Sequence, residues 1–349
     1  MARAQNLGEP EPTRESPFSA LDGPITPNDR YFVRSHFAAP ELDLCEWRLS
    51  VEGSVEKPLS LSYDELQAMP SKSVTVTTEC AGNGRRYLSP TMCGIQWEQG
   101  GVSTANWEGA PLSAILERAG VHSNAVEVVF EGADGGEIKN PPRPGAPIKF
   151  ARSVPIDKCR SDVLLAYRMN GEPIAPTHGF PVRAIVPGWF GVASVKWLSR
   201  LLVVDKPYTG FFQTIEYAYW QREGGLVRRA PVAGMLVKAQ IARPTAGEVI
   251  ASGSSYRVVG AAWAGESSVA KVEFSDDGGE NWSEARLTGN PERFAWQLWE
   301  HDWVAPATGP CFLMARATDA DGNVQPVTRD LDRENYMINH VIPVTVEIV

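Results

Sequence analysis

The chain has 349 residues, 43% of them hydrophobic, enough for a substantial core and more than a single domain usually holds. Its formal net charge of -9 argues against nucleic acid or an anionic membrane surface as the main partner, because both reward a basic face, and no run of about 18 apolar residues is present to span a bilayer as a helix. The five cysteines are odd in number and form no Cys-x-x-Cys, which excludes a zinc ribbon, a thioredoxin motif and a haem attachment site.

Residues 1–24 read as a polar, proline-containing, flexible tail without an apolar export core or twin arginine. The expected location is therefore the cytoplasm, with the periplasm left open if an export segment has been trimmed. "LSYDELQAMP" carries Ser62 and, three residues on, Glu65, a capping-box pattern ahead of a short helix that Pro70 ends. In "TVTTECAGNGRR" a β-branched run leads into Cys80, a Gly-Asn-Gly turn and two arginines. "PLSAILERAG" predicts a helix with Pro111 in its first turn, apolar positions 112, 115, 116 and 119, and Gly120 as its stop. The runs "VEVVFEG", "VLLAYRM", "FPVRAIVPG" and "VKWLSRLLVV" predict strands, so the body to about residue 230 is expected to be mixed sheet with helices packed on it.

Beyond "VRRAPVAGM" the texture changes to short strands with Asp-Gly turns and no helical period. In "AKVEFS", Ala270, Val272 and Phe274 are expected to face a core while Lys271 and Glu273 face water. An all-β, immunoglobulin-like sandwich is the expected architecture of this last third, and the overall class is α+β.

Cys80 is the pivotal residue. A thiol after a strand is often a small buried hydrophobe, but Arg85 and Arg86 favour the thiolate, and glycines at 82 and 84 let the backbone pass close to a bulky ligand. Two chemistries stay open on these residues: a nucleophile, with His178 brought over by the fold as its base, or a soft ligand for a transition metal. The arginines and aromatics Arg34, Arg85, Trp97 and Tyr208 look more like an oxyanion pocket than an acyl-transfer site.

"TTECAGNGR", with "YFVRSH", "MNGEPIAPTHGFPVRAIVPGWFGVASVKWLSRL" and "YTGFF" in this order, closely resembles the sulfite oxidase family of molybdopterin enzymes, from about residue 25 to the end. The resemblance implies a molybdopterin-binding catalytic domain over 25–232 and an immunoglobulin-like dimerisation domain over 233–349, hence a homodimer. It implies molybdenum and molybdopterin as cofactors, with Cys80 the one protein ligand of the metal. Phe32, Val33, Arg34, Ser35 and His36 match the pterin-binding segment, with Ser35 where the family often has Asn. Asp134, His178, Arg183, Ser194, Val195 and Lys196 match the remaining pterin and phosphate contacts, and Arg34, Arg85, Trp97 and Tyr208 the substrate pocket. The implied reaction is oxidation of sulfite to sulfate, with electrons passing to oxygen or to a separate cytochrome.

Each residue also has a plain reading: Arg34, Arg85 and Arg183 as ion-pair partners, His178 as a core histidine, Trp97 as packing. One departure stands out. A C-terminal arginine expected from animal and plant members in a Gly-rich stretch is replaced in "AWAGESSVAKVEFS" by Glu266, Ser267 and Ser268. The implied alternative is another oxyanion or an S- or N-oxide on the same scaffold, as in nitrate reduction or sulfane oxidation.

Overall fold

The computed structural model describes residues 12–139 and 143–349. It divides into two compact units: one comprises the described residues up to Arg14 with Val33–Val74 and Asn106–Ala233, the other Glu15–Phe32, Thr75–Ala105 and Gly234–Val349. One of the breaks between them falls at Ala233/Gly234. Residues 15–32 and 75–105 group with the C-terminal part, which sequence pattern did not anticipate. Of the expected tail, residues 1–11 lie outside the described residues. Residues 15–24 are anchored at points: Phe18 is buried edge-on to Trp296 (6.1 Å), whose Nε1 donates to the Pro24 carbonyl (2.9 Å).

The first unit contains a five-stranded sheet in the order Leu59–Leu61, Leu49–Gly53, Leu198–Val204, Glu127–Gly136, Ile148–Pro155. Leu49–Gly53 and Leu198–Val204 run parallel and the other pairs antiparallel, so the sheet is mixed as expected. Leu164–Met169 pairs with both Arg183–Ile185 and Val102–Pro111. The helix Tyr63–Gln67 has the full capping box, with the Glu65 amide donating to Ser62 Oγ and the Ser62 amide to Glu65 Oε2, a device that contributes about 1 kcal/mol. The helix Leu112–Ala119 buries Leu112, Ile115, Leu116 and Ala119, and ends at Gly120 in the left-handed region. These four join Leu49, Val51, Phe130, Leu165 and Leu201 in one core.

In the second unit eight strands form one hydrogen-bonded path: Lys238–Arg243, Ser255–Trp263, Gln297–Val304, Ser283–Thr288, Val269–Ser275, Gly309–Asp319, Val344–Ile348, Val249–Ile250. The first of these strands packs back on Gly309–Asp319, closing a β-sandwich over Val258, Val272, Phe274, Trp299, Leu313 and Val346. Val272 and Phe274 face the core as expected, but Ala270 is exposed. The register against Gly309–Asp319 shifts between Val269 and Lys271, and the irregularity turns Ala270 outward.

Candidate functional site

In the first unit the strand Glu127–Gly136 carries register shifts against both neighbours, one between Glu131 and Gly135 and one opposite Leu198/Arg200. Such irregularities re-aim side chains, and here they point Asp134 inward, where it is only 5% exposed. Its Oδ1 is a buried acceptor with no hydrogen-bond donor among the described residues. Burial pushes the Asp134 carboxyl up to about 7, with the Lys196 ammonium pulling the other way. Gly132 makes the space: a Cβ there would lie 2.3 Å from Asp134 Oδ1.

Lys196 connects the expected segments. Its ammonium donates to Ser35 Oγ (2.5 Å) and to the Thr177 carbonyl (2.9 Å) and lies 4.2 Å from the Trp197 ring centroid. The close approach depends on Gly179, at φ +109°, where a Cβ would meet Lys196 Cβ at 2.9 Å. Trp197 itself takes φ +49°, uncommon for a bulky residue. Arg34 is half-buried and donates to the Ser35 carbonyl. Arg183 donates to the carbonyls of His178 (2.9 Å) and Ser194 (3.1 Å) with its guanidinium 4.9 Å from the Trp107 ring centroid, while Ser194 Oγ accepts the Val186 amide (3.1 Å). Arg183 thus ties the two segments together. Val33 and Val195 serve through the backbone: Val33 exchanges hydrogen bonds with Arg14, and the Val195 carbonyl accepts the Ala184 amide.

His36 sits in an aromatic nest that sequence reasoning missed. Phe150 stacks on it at 5.3 Å, Phe212 meets it edge-on at 4.8 Å, and the Tyr217 hydroxyl lies 3.1 Å from its Nε2. Burial first, then the Arg34 charge, pulls its pKa down to about 4 despite Glu216 at 3.6 Å, so the ring is neutral at pH 7. Tyr208 stands apart from this cluster in its contacts: its amide donates to Glu127 Oε2 (2.9 Å) and its hydroxyl folds over Gly210. Burial raises its phenol above the ordinary value, which keeps the O–H as a donor at neutral pH.

In the second unit residues 75–79, the end of the strand Lys72–Glu79, lead into Cys80 and a turn closed by the Asn83 amide on the Cys80 carbonyl (2.9 Å), with Gly84 left-handed at φ +91°. The Cys80 amide donates to the Gly101 carbonyl (2.7 Å), and its thiol is half-buried and outside any disulfide. Arg85 is spent differently from expectation. Its Nε and Nη2 donate to the Asn335 carbonyl (3.1 and 2.9 Å) and its Nη1 to Ile95 (2.8 Å), so it braces the turn rather than offering an open fork to an anion. Arg86 is exposed and pairs with Glu98 at 3.2 Å. Trp97 is 1% exposed with Phe32 edge-on at 6.0 Å, which is the packing role. The Phe32 amide donates to Ser103 Oγ.

Sequence reasoning also missed the residues behind Cys80. Glu79 and Lys238, both nearly fully buried, pair at 2.8 Å, and Asn83 and Trp263 complete the carboxylate's partners. The available signal was an acid closing a β-branched run. Lys238 carried none.

A molybdopterin fits what these residues offer. In the first unit the donor-less Asp134 oxygen suits a heterocycle with N–H donors, and Lys196 and Arg34 supply positive charge for a phosphate; in the second unit, taken by itself, the Cys80 thiol is a soft donor for molybdenum. Among the described residues no three His, Cys, Asp or Glu side chains converge in metal-binding geometry.

Residues 36–212 match the family described as oxidoreductase molybdopterin binding domain, and residues 229–342 the one described as Mo-co oxidoreductase dimerisation domain. The chain is 35% identical over 342 residues to mitochondrial sulfite oxidase of Homo sapiens, covering 90% of this chain and 61% of that protein. It is 31% identical over 347 residues to nitrate reductase (NADH) 1 of Arabidopsis thaliana, covering 89% of this chain and 37% of that protein. The chain thus spans about three fifths of the mammalian relative's length. Among solved structures, the sulfane dehydrogenase SoxCD from Paracoccus pantotrophus aligns with a TM-score of 0.82 at 32% identity, over 95% of this chain and 84% of that one.

Proposed function

We propose that this chain, which belongs to the sulfite oxidase family of molybdopterin oxidoreductases, oxidises sulfite to sulfate, with Cys80 as the protein's ligand to molybdenum. The observation that carries the cofactor assignment is the buried Asp134 oxygen left without a donor in the segment-joining cluster of Ser35 and Lys196. A bound molybdenum–pterin supplies oxygen-atom transfer and accepts two electrons. The chain's own residues do the rest. Asp134 accepts pterin N–H groups, Lys196 and Arg34 neutralise phosphate, and neutral His36 fills its apolar nest without adding charge. Arg34, half-buried and cationic, and Tyr208, a protonated donor, are the groups on the first unit suited to an oxyanion. Arg85 acts by bracing the Cys80 turn, and Trp97 by packing in the interior against Phe32.

A second reading, oxidation of sulfane sulfur, is favoured by the likeness to the sulfane dehydrogenase structure and by Glu266, Ser267 and Ser268 where an arginine was expected. The Ser267 amide closes a turn onto the Ala264 carbonyl, a surface turn with no cation to offer. The dimerisation-domain match supports a homodimer, and the electrons would leave to oxygen or a separate cytochrome.

The test is sulfite-dependent reduction of ferricyanide by protein from a host competent in cofactor synthesis, with molybdenum measured on the same sample. Persulfide oxidation and viologen-driven nitrate reduction run in parallel. Turnover of sulfite that disappears in Cys80→Ser supports the reading. Full molybdenum with turnover only of a persulfide or of nitrate would replace sulfite as the substrate.

A further inference from the structure

Next to Cys80 in the chain, Glu79 belongs to a buried charge pair that the proposed chemistry does not use. Glu79, the residue before Cys80, is 2% exposed and Lys238 1%. Glu79 Oε1 accepts from Lys238 Nζ (2.8 Å) and from Asn83 Nδ2 (3.0 Å), and its Oε2 accepts from Trp263 Nε1 (2.9 Å). Lys238 Nζ also donates to the Ile338 carbonyl (2.8 Å), next to Met337, whose amide donates to the Ala81 carbonyl (2.7 Å). Asn83 passes the order on, since its Oδ1 accepts the amide of Gly101 (3.0 Å), the residue whose carbonyl accepts the Cys80 amide. All of these residues belong to the second unit.

We propose that Lys238 is a positioning residue for the Cys80 ligand, acting through Glu79 and Asn83 to hold the ligand turn in one geometry. The proposal rests on the reading of Cys80 as the metal's ligand. A buried ion pair adds little net stability over an apolar pair of equal size, because desolvation offsets the attraction, whereas its hydrogen-bond directions are restrictive. Here those directions terminate on both sides of the turn: Glu79 precedes Cys80, and Asn83 follows it by three residues. Lys238 also balances the buried Glu79 carboxylate, which would otherwise carry an uncompensated charge in the interior. Among the described residues Lys238 meets Glu79, the Asn83 and Ile338 carbonyls and the Trp263 ring, so its influence is one of geometry and local charge balance.

The experiment compares wild type with Lys238→Gln, Glu79→Gln and the double variant carrying both, which restores a neutral hydrogen-bonding pair. Hydrogen exchange followed by mass spectrometry on cofactor-free protein reads the amides of Cys80 and Asn83, against those of Gln297–Val304 as an internal reference. Each single variant is expected to speed exchange in the turn by roughly tenfold while the reference strand keeps its protection, and the double variant to recover most of the loss. In loaded protein the singles should shift the thiolate-to-molybdenum absorption bands, and the double should return them. Wild-type exchange in the turn of both singles, or equal loss of protection in turn and reference strand, would overturn the proposal. Should Lys238→Gln fail to fold, the isosteric Glu79→Gln carries the same expectation. Failure of the ligand assignment would show separately, as molybdenum and turnover retained in Cys80→Ser.

Discussion

Asp134→Asn tests the inward-facing carboxyl most directly, and its expected effects on stability and on cofactor binding have opposite signs. The Asp134 pKa is raised from 3.8 to about 7, chiefly by burial. Between those values the native state keeps a proton that the unfolded chain has released, so stability is greatest below about pH 4 and is lost as pH rises to 7. A gap of about three pH units corresponds to about 4 kcal/mol in all, of which about 2.5 kcal/mol falls between pH 5 and 8. Asparagine has no proton to release. Urea unfolding of the cofactor-free proteins should therefore find the variant gaining on wild type by about 2.5 kcal/mol from pH 5 to pH 8. The slope due to His36 is common to both proteins and cancels in the difference. In the loaded protein the same substitution should speed loss of the cofactor, because the carboxylate that pterin donors would satisfy is gone. A stability difference that stays constant from pH 5 to 8 would refute the burial argument for Asp134.

Three further outcomes follow from the same geometry. His36, held neutral with a pKa near 4 by burial and by Arg34, withholds a proton that the unfolded chain binds, so wild type loses stability as pH falls from 6.5 toward 4; His36→Gln should flatten that limb of the thermal midpoint against pH. Arg85→Ala strands the Asn335 and Ile95 carbonyls and should cost about 3 kcal/mol in urea unfolding, whatever its effect on turnover. Iodoacetamide applied to the native protein should label the exposed Cys45 and Cys93 and leave Cys159, whose thiol burial pushes far up; rapid native labelling of Cys159 would contradict its placement.

Much of the local structure could be read directly from the chain. The Ser62/Glu65 box and the Leu112–Ala119 helix with its Gly120 stop follow from spacing alone, because caps and amphipathic faces are short-range in origin. The family resemblance was legible for the same reason, since "TTECAGNGR" and "HGFPVR" are contiguous words. Roles that depend on distant partners were not. Arg85 looked like an anion fork until Asn335, 250 residues away, took its donors. Ala270 kept a core-facing alternation in the sequence, yet a bulge against a distant strand turned it out.

What the sequence by itself determined is the alphabet of the site: a soft thiol in a glycine turn, cations for phosphate, and a carboxylate, Asp134, in "FEGAD". Only the tertiary structure decided which of these are spent on the fold and which remain for a ligand. Lys238 shows why. In "MLVKAQI" it is an unremarked lysine, and it becomes a buried partner of Glu79 only when a chain separation of 159 residues closes to 2.8 Å. Burial and pairing are properties of the packed chain, and desolvation gives a charge its meaning only after packing has removed the water.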